Sequence, residues 1–191
     1  MKKIILFNGA PSSGKDIASQ YLINNIPNSK LMKFAGVLKE RTHALYGFSN
    51  RDMFYYESVK DKPSKDFLGL TPRQAYIEVS ETYFKPTHGK RIFGEILAQE
   101  INNSEEDIII ISDSGFQEEV EVIESIFGAE NILLLQPYRK DCDFSFDSRG
   151  YIELPNSDTH LIYNDGGPNY LKEVLDIVSS WIDEQGDFFF G

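Results

Sequence analysis

The sequence predicts an α/β protein in which a mostly parallel sheet carries helices on both faces. Three observations predict it. The chain opens with a strand, a glycine-containing loop and a helix in immediate succession. Two later runs, in "DIIIISD" and "NILLLQ", are apolar on consecutive positions, as expected of strands buried on both faces of a parallel sheet. Segments of helical period separate the strand-like runs, which is the alternation of a wound α/β fold.

Taken in order, "KKIILFN" is the first strand, and "DIASQYLINNI" is a helix with Ile17, Tyr21, Leu22 and Ile26 at helical spacing. Pro27 and Asn28 end that helix, and "KLMKFA" reads as a second strand that runs into the helix "GVLKERTHALYG". From Ser49 to Leu70 aromatic and charged residues alternate without a clean period, and the stretch is assigned to helix and loop. "TPRQ" marks a helix start: Thr71 at the cap, Pro72 at the first helical position and Gln74 three residues after the cap form a capping box, with the helix running to about Tyr83. "KPTHG" breaks the pattern, and "KRIFGEILAQEINN" is the next helix. After the strand in "DIIIISD", the helix "QEEVEVIESIFG" ends at Gly128, a residue suited to the position just past a helix. "NILLLQ" is the next strand, "HLIYN" a weaker one, and "PNYLKEVLDIVSSWIDEQ" is an amphipathic closing helix. The terminal "GDFFFG" is expected to pack on the body of the protein, or less readily to make a self-association contact that would give a homodimer.

Composition bounds the function. With 191 residues and 41% hydrophobic content, the chain can bury one substantial core and is read as a single domain, 1–191. Its longest apolar runs fall far short of the roughly 20 residues that span a bilayer, and "MKK" before so short a run lacks a secretory core, so a cytoplasmic protein with no membrane contact is expected. Cys142 has no partner for an internal disulfide, and His43, His88 and His160 lack zinc spacing. A formal charge of −11 opposes binding to nucleic acid, whose affinity rests on neutralised phosphates.

The chemistry is concentrated in "GAPSSGKD". Gly9, Gly14 and Lys15 fit G-x-x-x-x-G-K between a strand and a helix, where backbone N–H groups and the positive end of the helix converge on phosphate and the lysine adds a charge near its outer oxygens. The acid that follows, Asp16, stands where a hydroxyl usually touches magnesium, so its carboxylate is a candidate metal ligand. Asp113, at the end of "IIIISD", is a second candidate ligand; otherwise it caps the next helix. Among the basic residues Arg73 stands out, because a cation in the first turn of a helix needs an anionic partner or other compensation. Arg139 and Arg149 bracket a loop that could close over a phosphoryl group.

With "GAPSSGKD", "KFAGVLKE", "ESVKDKP", "TPRQAYIEVSE", "GKRIFGEILAQE", "ISDSGFQEEVEVI" and "IYNDGG" in view, the chain resembles the phage-type deoxynucleoside monophosphate kinases, a branch of the P-loop nucleoside monophosphate kinases. In that family a lysine followed by aspartate is a familiar variant of the loop. The resemblance implies a three-layer P-loop fold with five parallel strands, a helical monophosphate-binding region over 35–104 and a lid loop over about 137–155. It implies ATP and Mg2+ as cofactors, a deoxynucleoside monophosphate as small-molecule substrate, and the host cytoplasm as location if the gene is carried by a phage.

Residue by residue, it implies that Gly9, Ala10, Pro11, Ser12, Ser13, Gly14, Lys15, Asp16 and Ile17 hold ATP, with Asn164, Asp165 and Gly166 of the "NDGG" turn flanking its base. Phe34, Lys39, Arg73, Arg91 and Asp113 would bind the acceptor, and Lys15, Arg139 and Arg149 would act on the transferring phosphoryl. Two departures stand out: Gly115 lies where the family commonly has an arginine, and Ile17 where it often has threonine. Two alternatives stay open on the residues alone: a P-loop kinase of another small metabolite, and a nucleotide-binding module without catalysis.

Overall fold

The computed structural model describes residues 2–48, 53–145 and 147–184. The terminal "GDFFFG" and its expected packing lie outside them, as do residues 49–52 of the stretch assigned to helix and loop. Five strands, β1 (Lys3–Phe7), β2 (Ser29–Met32), β3 (Ile108–Ile111), β4 (Ile132–Tyr138) and β5 (Asp158–Tyr163), form one sheet in the order β2-β3-β1-β4-β5. Every pairing is parallel. The fold is therefore α/β with a five-stranded parallel sheet, as predicted, and the helices make two further layers.

The consecutive apolar runs are explained by that layering. Ile4 and Leu6 of β1, Ile109 and Ile111 of β3, and Ile132 and Leu134 of β4 face one layer, where they pack with α2 (Phe34–Leu45), α6 (Ile92–Asn102) and α7 (Gln117–Phe127). The alternate residues, Ile5, Phe7, Ile108, Ile110, Leu133 and Leu135, face α1 (Lys15–Asn25) and α8 (Pro168–Glu184). Each of these side chains is almost wholly buried, which stabilises the fold by roughly 1.5–3 kcal/mol apiece before chain entropy is counted. β5 is an edge strand, with only Ile162 buried, and this accounts for the weaker signal of "HLIYN".

The stretch that was hardest to read builds a small core of its own. α3 (Met53–Ser58), α4 (Pro72–Val79) and the short 3-10 turn between them (Lys65–Phe67) bring Tyr56, Phe67, Ala75 and Tyr76 together. His43 of α2 lies among them, with ring contacts to Phe48, Tyr56, Phe67 and Tyr76. Burial lowers its pKa, with the Lys39 charge adding to the effect, and its Nε2 lies 3.0 Å from the Tyr76 hydroxyl. The Thr71 capping box forms as expected: Gln74 N donates to Thr71 Oγ1 and Thr71 N donates to the Gln74 side chain.

The helix does not stop near Tyr83. It widens into a π turn over Ser80–Phe84, with Lys85 N donating to Ser80 O, and continues as α5 (Lys85–His88) to Gly89. Such widened turns are often found at functional sites. After β1 the chain moves to one side of the sheet, and after β3 it crosses to the other, so the loops that follow β1, β3 and β4 converge at the carboxyl ends of the strands. That is where α/β sheets bind ligands.

Candidate active site

The loop between β1 and α1 has the form its motif predicts, and its two glycines are required by contact. A Cβ on Gly9 would stand 2.4 Å from Pro137 O. Gly14 has φ +106, and a Cβ there would stand 2.3 Å from Asn164 Nδ2. The loop is braced from behind by the β5–α8 turn: Asn164 Nδ2 donates to Ser13 O at 2.8 Å, and the Tyr170 hydroxyl donates to Gly14 O at 3.2 Å. The Lys15 side chain folds over the loop and donates to Gly9 O and Ala10 O at 2.6 and 2.7 Å. Burial pulls the pKa of this lysine down and the nearby Arg149 charge adds to that, while Asp16, Asp147 and Asp113 oppose it. Three carboxylates and a second cation thus act on it electrostatically.

The two candidate metal ligands are both engaged. Asp113 presents its two oxygens to the start of α2, Oδ1 accepting from Phe34 N and Oδ2 from Ala35 N, each at 2.9 Å. It caps a helix, as the alternative reading of this residue held, but the helix is α2 and not α7, the next in the chain. β3 lies beside β2, so the end of β3 meets the chain where it leaves β2. Burial raises the Asp113 pKa, against the two N–H groups and the charges of Lys33 and Arg149. Asp16 is exposed and accepts from Lys33 Nζ at 2.7 Å. Among the described residues, no group of three or more His, Cys, Asp or Glu side chains is placed to hold a metal ion.

Beside the loop lies a cleft of about 740 Å³, within the usual range for small-molecule sites. Phe34, Leu38, Ile77, Phe93 and Phe116 give it an apolar lining, and Arg73, Arg149, Asp113 and Asp147 bring charge. The π turn contributes Ser80 and Glu81, and Lys85 follows. Lys85 Nζ bonds Glu81 at 2.6 Å and sits 4.5 Å from the centre of the Phe116 ring. Glu119 of α7 also lines the cleft, and desolvation pushes its carboxyl up to about 8. At neutral pH it is mostly protonated.

Residues 139–145 and 147–157 belong to the loop between β4 and β5. Its return is anchored by Asn8, a fully buried residue at the end of β1. Asn8 Nδ2 donates to Ser114 O and Gly150 O, and Asn8 Oδ1 accepts from Ile152 N and Gln136 Nε2, all at 2.8–2.9 Å. One side chain therefore ties the loops after β1, β3 and β4 together. It fixes Arg149 beside the cleft. Asp147 grips that arginine, with Oδ1 accepting from its backbone N and Nε and Oδ2 from Nη2, and the guanidinium draws the Asp147 carboxyl down to about 2.

No protein-family model and no curated protein sequence matches the chain. Among solved structures, the chain is similar to an unliganded sugar kinase from Janibacter sp. HTCC2649, at 9% identity and a TM-score of 0.49, over 96% of this chain and 95% of that one. It is also similar to the tunicamycin resistance protein of Deinococcus radiodurans, at 10% identity and a TM-score of 0.46, over 97% and 96% of the two chains. Likenesses this distant carry no functional weight. The fold rests on the sheet order and on the loop itself.

Of the residues marked out by sequence, Phe34, Arg73, Asp113 and Arg149 line the cleft, and Lys15 lies within electrostatic reach of Asp113 and Arg149. Lys39 is turned instead to Glu57, at 2.6 Å, and Arg91 is an exposed residue just before α6; neither is among the cleft-lining residues. The compensation that Arg73 requires comes from Asp61, which its Nε bonds at 2.7 Å. Arg139 Nη2 lies 3.5 Å from where a Cβ on Gly166 would be, against the "NDGG" turn. Asn164 is buried, and its side chain braces the phosphate loop and accepts from Gly166 N. Sequence reasoning passed over Asn8, Asp147, Lys85 and Glu119. Only Asn8, a lone polar residue ending an apolar run, carried a signal that could have been read.

Proposed function

We propose that the protein is an ATP-dependent kinase that phosphorylates a deoxynucleoside monophosphate. The observation that carries this reading is the junction of two features at the strand ends. A G-x-x-x-x-G-K loop with a buried lysine opens beside a cleft that is apolar and aromatic over much of its wall and also carries two arginines. Aromatic faces suit a base and the arginines suit a phosphate. The acceptor's phosphate is ionised at neutral pH, so no general base is required. The bond between the γ-phosphorus of ATP and its bridging oxygen breaks as an acceptor phosphate oxygen bonds to that phosphorus, and ADP leaves with the electron pair.

The protein's part in such a transfer is alignment and charge. The loop N–H groups and Lys15 hold the outer phosphates of ATP, Arg73 holds the acceptor phosphate, and Arg149 faces the phosphoryl in flight. Arg139, against the "NDGG" turn, belongs on this geometry with the ATP base. Asp16 and Asp113 fit a magnesium ion that takes most of its ligands from phosphate and water, since each carboxylate retains lone pairs beyond its present bonds. Bound there with ATP, magnesium would offset phosphate charge.

The test is turnover of purified protein with ATP against a panel of deoxy- and ribonucleoside monophosphates. Activity on one or more deoxynucleoside monophosphates is expected, with Lys15→Ala lowering it by at least a hundredfold in a protein that melts normally. Turnover on other phosphorylated or hydroxylated metabolites alone would reject the acceptor, and nucleotide binding without any turnover would reject the kinase.

A further inference from the structure

Arg149 reaches the cleft through space that exists because residue 115 has no side chain. A Cβ on Gly115 would stand 2.4 Å from Cδ, 2.6 Å from Cγ and 2.9 Å from Cβ of Arg149, separations that real Cβ atoms do not tolerate. Glycine is not needed there for its backbone, because Gly115 is absent from the positive-φ glycines among the described residues. It is needed for the stem of Arg149. Nor can the backbone easily give way: Gly150 N donates to Gly115 O at 3.2 Å, and Asn8 bonds Ser114 O and Gly150 O from below. The crossing of the two loops is pinned at both chains, so a side chain at 115 would have to displace that of Arg149.

The other end of the arginine is held by Asp147, which takes the Nε and Nη2 edge and leaves the Nη1 donors to other partners. We propose that Gly115 and Asp147 are positioning residues, which together hold Arg149 as a phosphoryl ligand already in place at the anchored root of the loop before substrate arrives. The inference rests on the kinase reading above for what Arg149 does, and on geometry alone for how it is held. A fork fixed by a carboxylate loses less entropy when it meets phosphate than a freely rotating side chain does.

Four variants and three readouts test it: Gly115→Ala, Asp147→Asn, Arg149→Ala and the double variant Gly115→Ala/Arg149→Ala. Phenylglyoxal modification of the nucleotide-free protein, mapped by mass spectrometry, reads the position of Arg149 without any turnover. Gly115→Ala and Asp147→Asn should speed modification at Arg149 several-fold and leave Arg73 and Arg139 unchanged, in proteins with native circular dichroism. Binding of inorganic tripolyphosphate, measured by calorimetry, should weaken in Gly115→Ala toward the value of Arg149→Ala. In turnover, Arg149→Ala should lose roughly 10³-fold or more in kcat, as phosphoryl-stabilising arginines do. Gly115→Ala should lose at least tenfold in kcat, and the double variant should be no worse than Arg149→Ala.

A Gly115→Ala protein with wild-type modification rate and wild-type tripolyphosphate affinity would overturn the proposal. So would a double variant whose losses multiply. A wild type inactive on every acceptor would sink the kinase reading instead, while the modification and tripolyphosphate results would still decide how Arg149 is held.

Discussion

Replacing Glu119 by Gln should stabilise the protein, and by an amount that grows with pH. Glu119 is 4% exposed on α7, and desolvation moves its carboxyl from an ordinary 4.5 to about 8; Lys85 opposes this, and Asp113, Glu118 and Glu81 add to it. Between those two values the folded protein keeps a proton that the unfolded chain has released. The native state therefore binds more protons, and stability falls as pH rises from about 4.5 to about 8 and changes no further beyond. At ~1.4 kcal/mol per pH unit the full penalty is on the order of 5 kcal/mol, an upper bound because the cleft admits water. Gln keeps the shape and cannot ionise. The two proteins should therefore match near pH 4.5, with the glutamine variant ahead by about 2–4 kcal/mol at pH 8. Urea melts at intervals from pH 4.5 to 9 measure it, and the difference between the two proteins isolates residue 119 because the other groups largely cancel. A difference that stays flat across this range, or a variant weaker at pH 8, would refute the reasoning. On the proposed function the consequence is local: a protonated Glu119 would give the cleft a hydrogen-bond donor and spare an entering phosphate one negative charge.

Two further substitutions probe the scaffold. Asn8→Asp turns a donor that faces Ser114 O and Gly150 O into an acceptor, and should cost about 3 kcal/mol or more, read as a lower urea midpoint at unchanged slope, with turnover falling together with stability; a midpoint within experimental error of wild type would show that Asn8 does not tie the loops together. Asp113→Asn leaves either Phe34 N or Ala35 N facing an amide and removes the charge from the α2 N-terminus, for about 2 kcal/mol in all, and the affected amide should exchange its hydrogen faster; unchanged exchange at both amides would mean that the aspartate does not cap the helix.

The fold was legible where burial was regular. "DIIIISD" and "NILLLQ" lie on β3 and β4 because only strands covered on both faces are apolar at every position, and the Thr71 capping box fixed the start of α4 to the residue. The stretch before it was not legible, because its core is a ring of aromatic groups about His43, drawn from three separate segments with no period to show it. The continuation of α4 through a π turn was missed for a related reason: a wider turn breaks the spacing from which a helix is read. The phosphate loop could be read in full because its motif is contiguous and each glycine answers a local demand. The cleft could not, since Asp147, Lys85 and Glu119 enter it from separate elements, and only the sheet order brings those elements to one side.

On the proposed function, the pairing of charges around the site gives a reason why so acidic a protein would handle phosphate. Arg149 is held by Asp147, Arg73 by Asp61, Lys39 by Glu57 and Lys33 by Asp16. Of these pairs, Arg73–Asp61 and Lys33–Asp16 are largely exposed, and ion pairs in water contribute little, so exchanging the acid for a phosphate oxygen costs little. A single phosphate would recover little from one such exchange, and it would enter against a net charge of −11. A ligand that meets the loop N–H groups, Lys15, Arg73 and Arg149 at once recovers much more, because the loop and Arg149 are already held in place. On that reading, paired cations would turn general attraction to anions into selectivity for a ligand of one shape, with phosphate groups spaced to reach the phosphate loop and the cleft together.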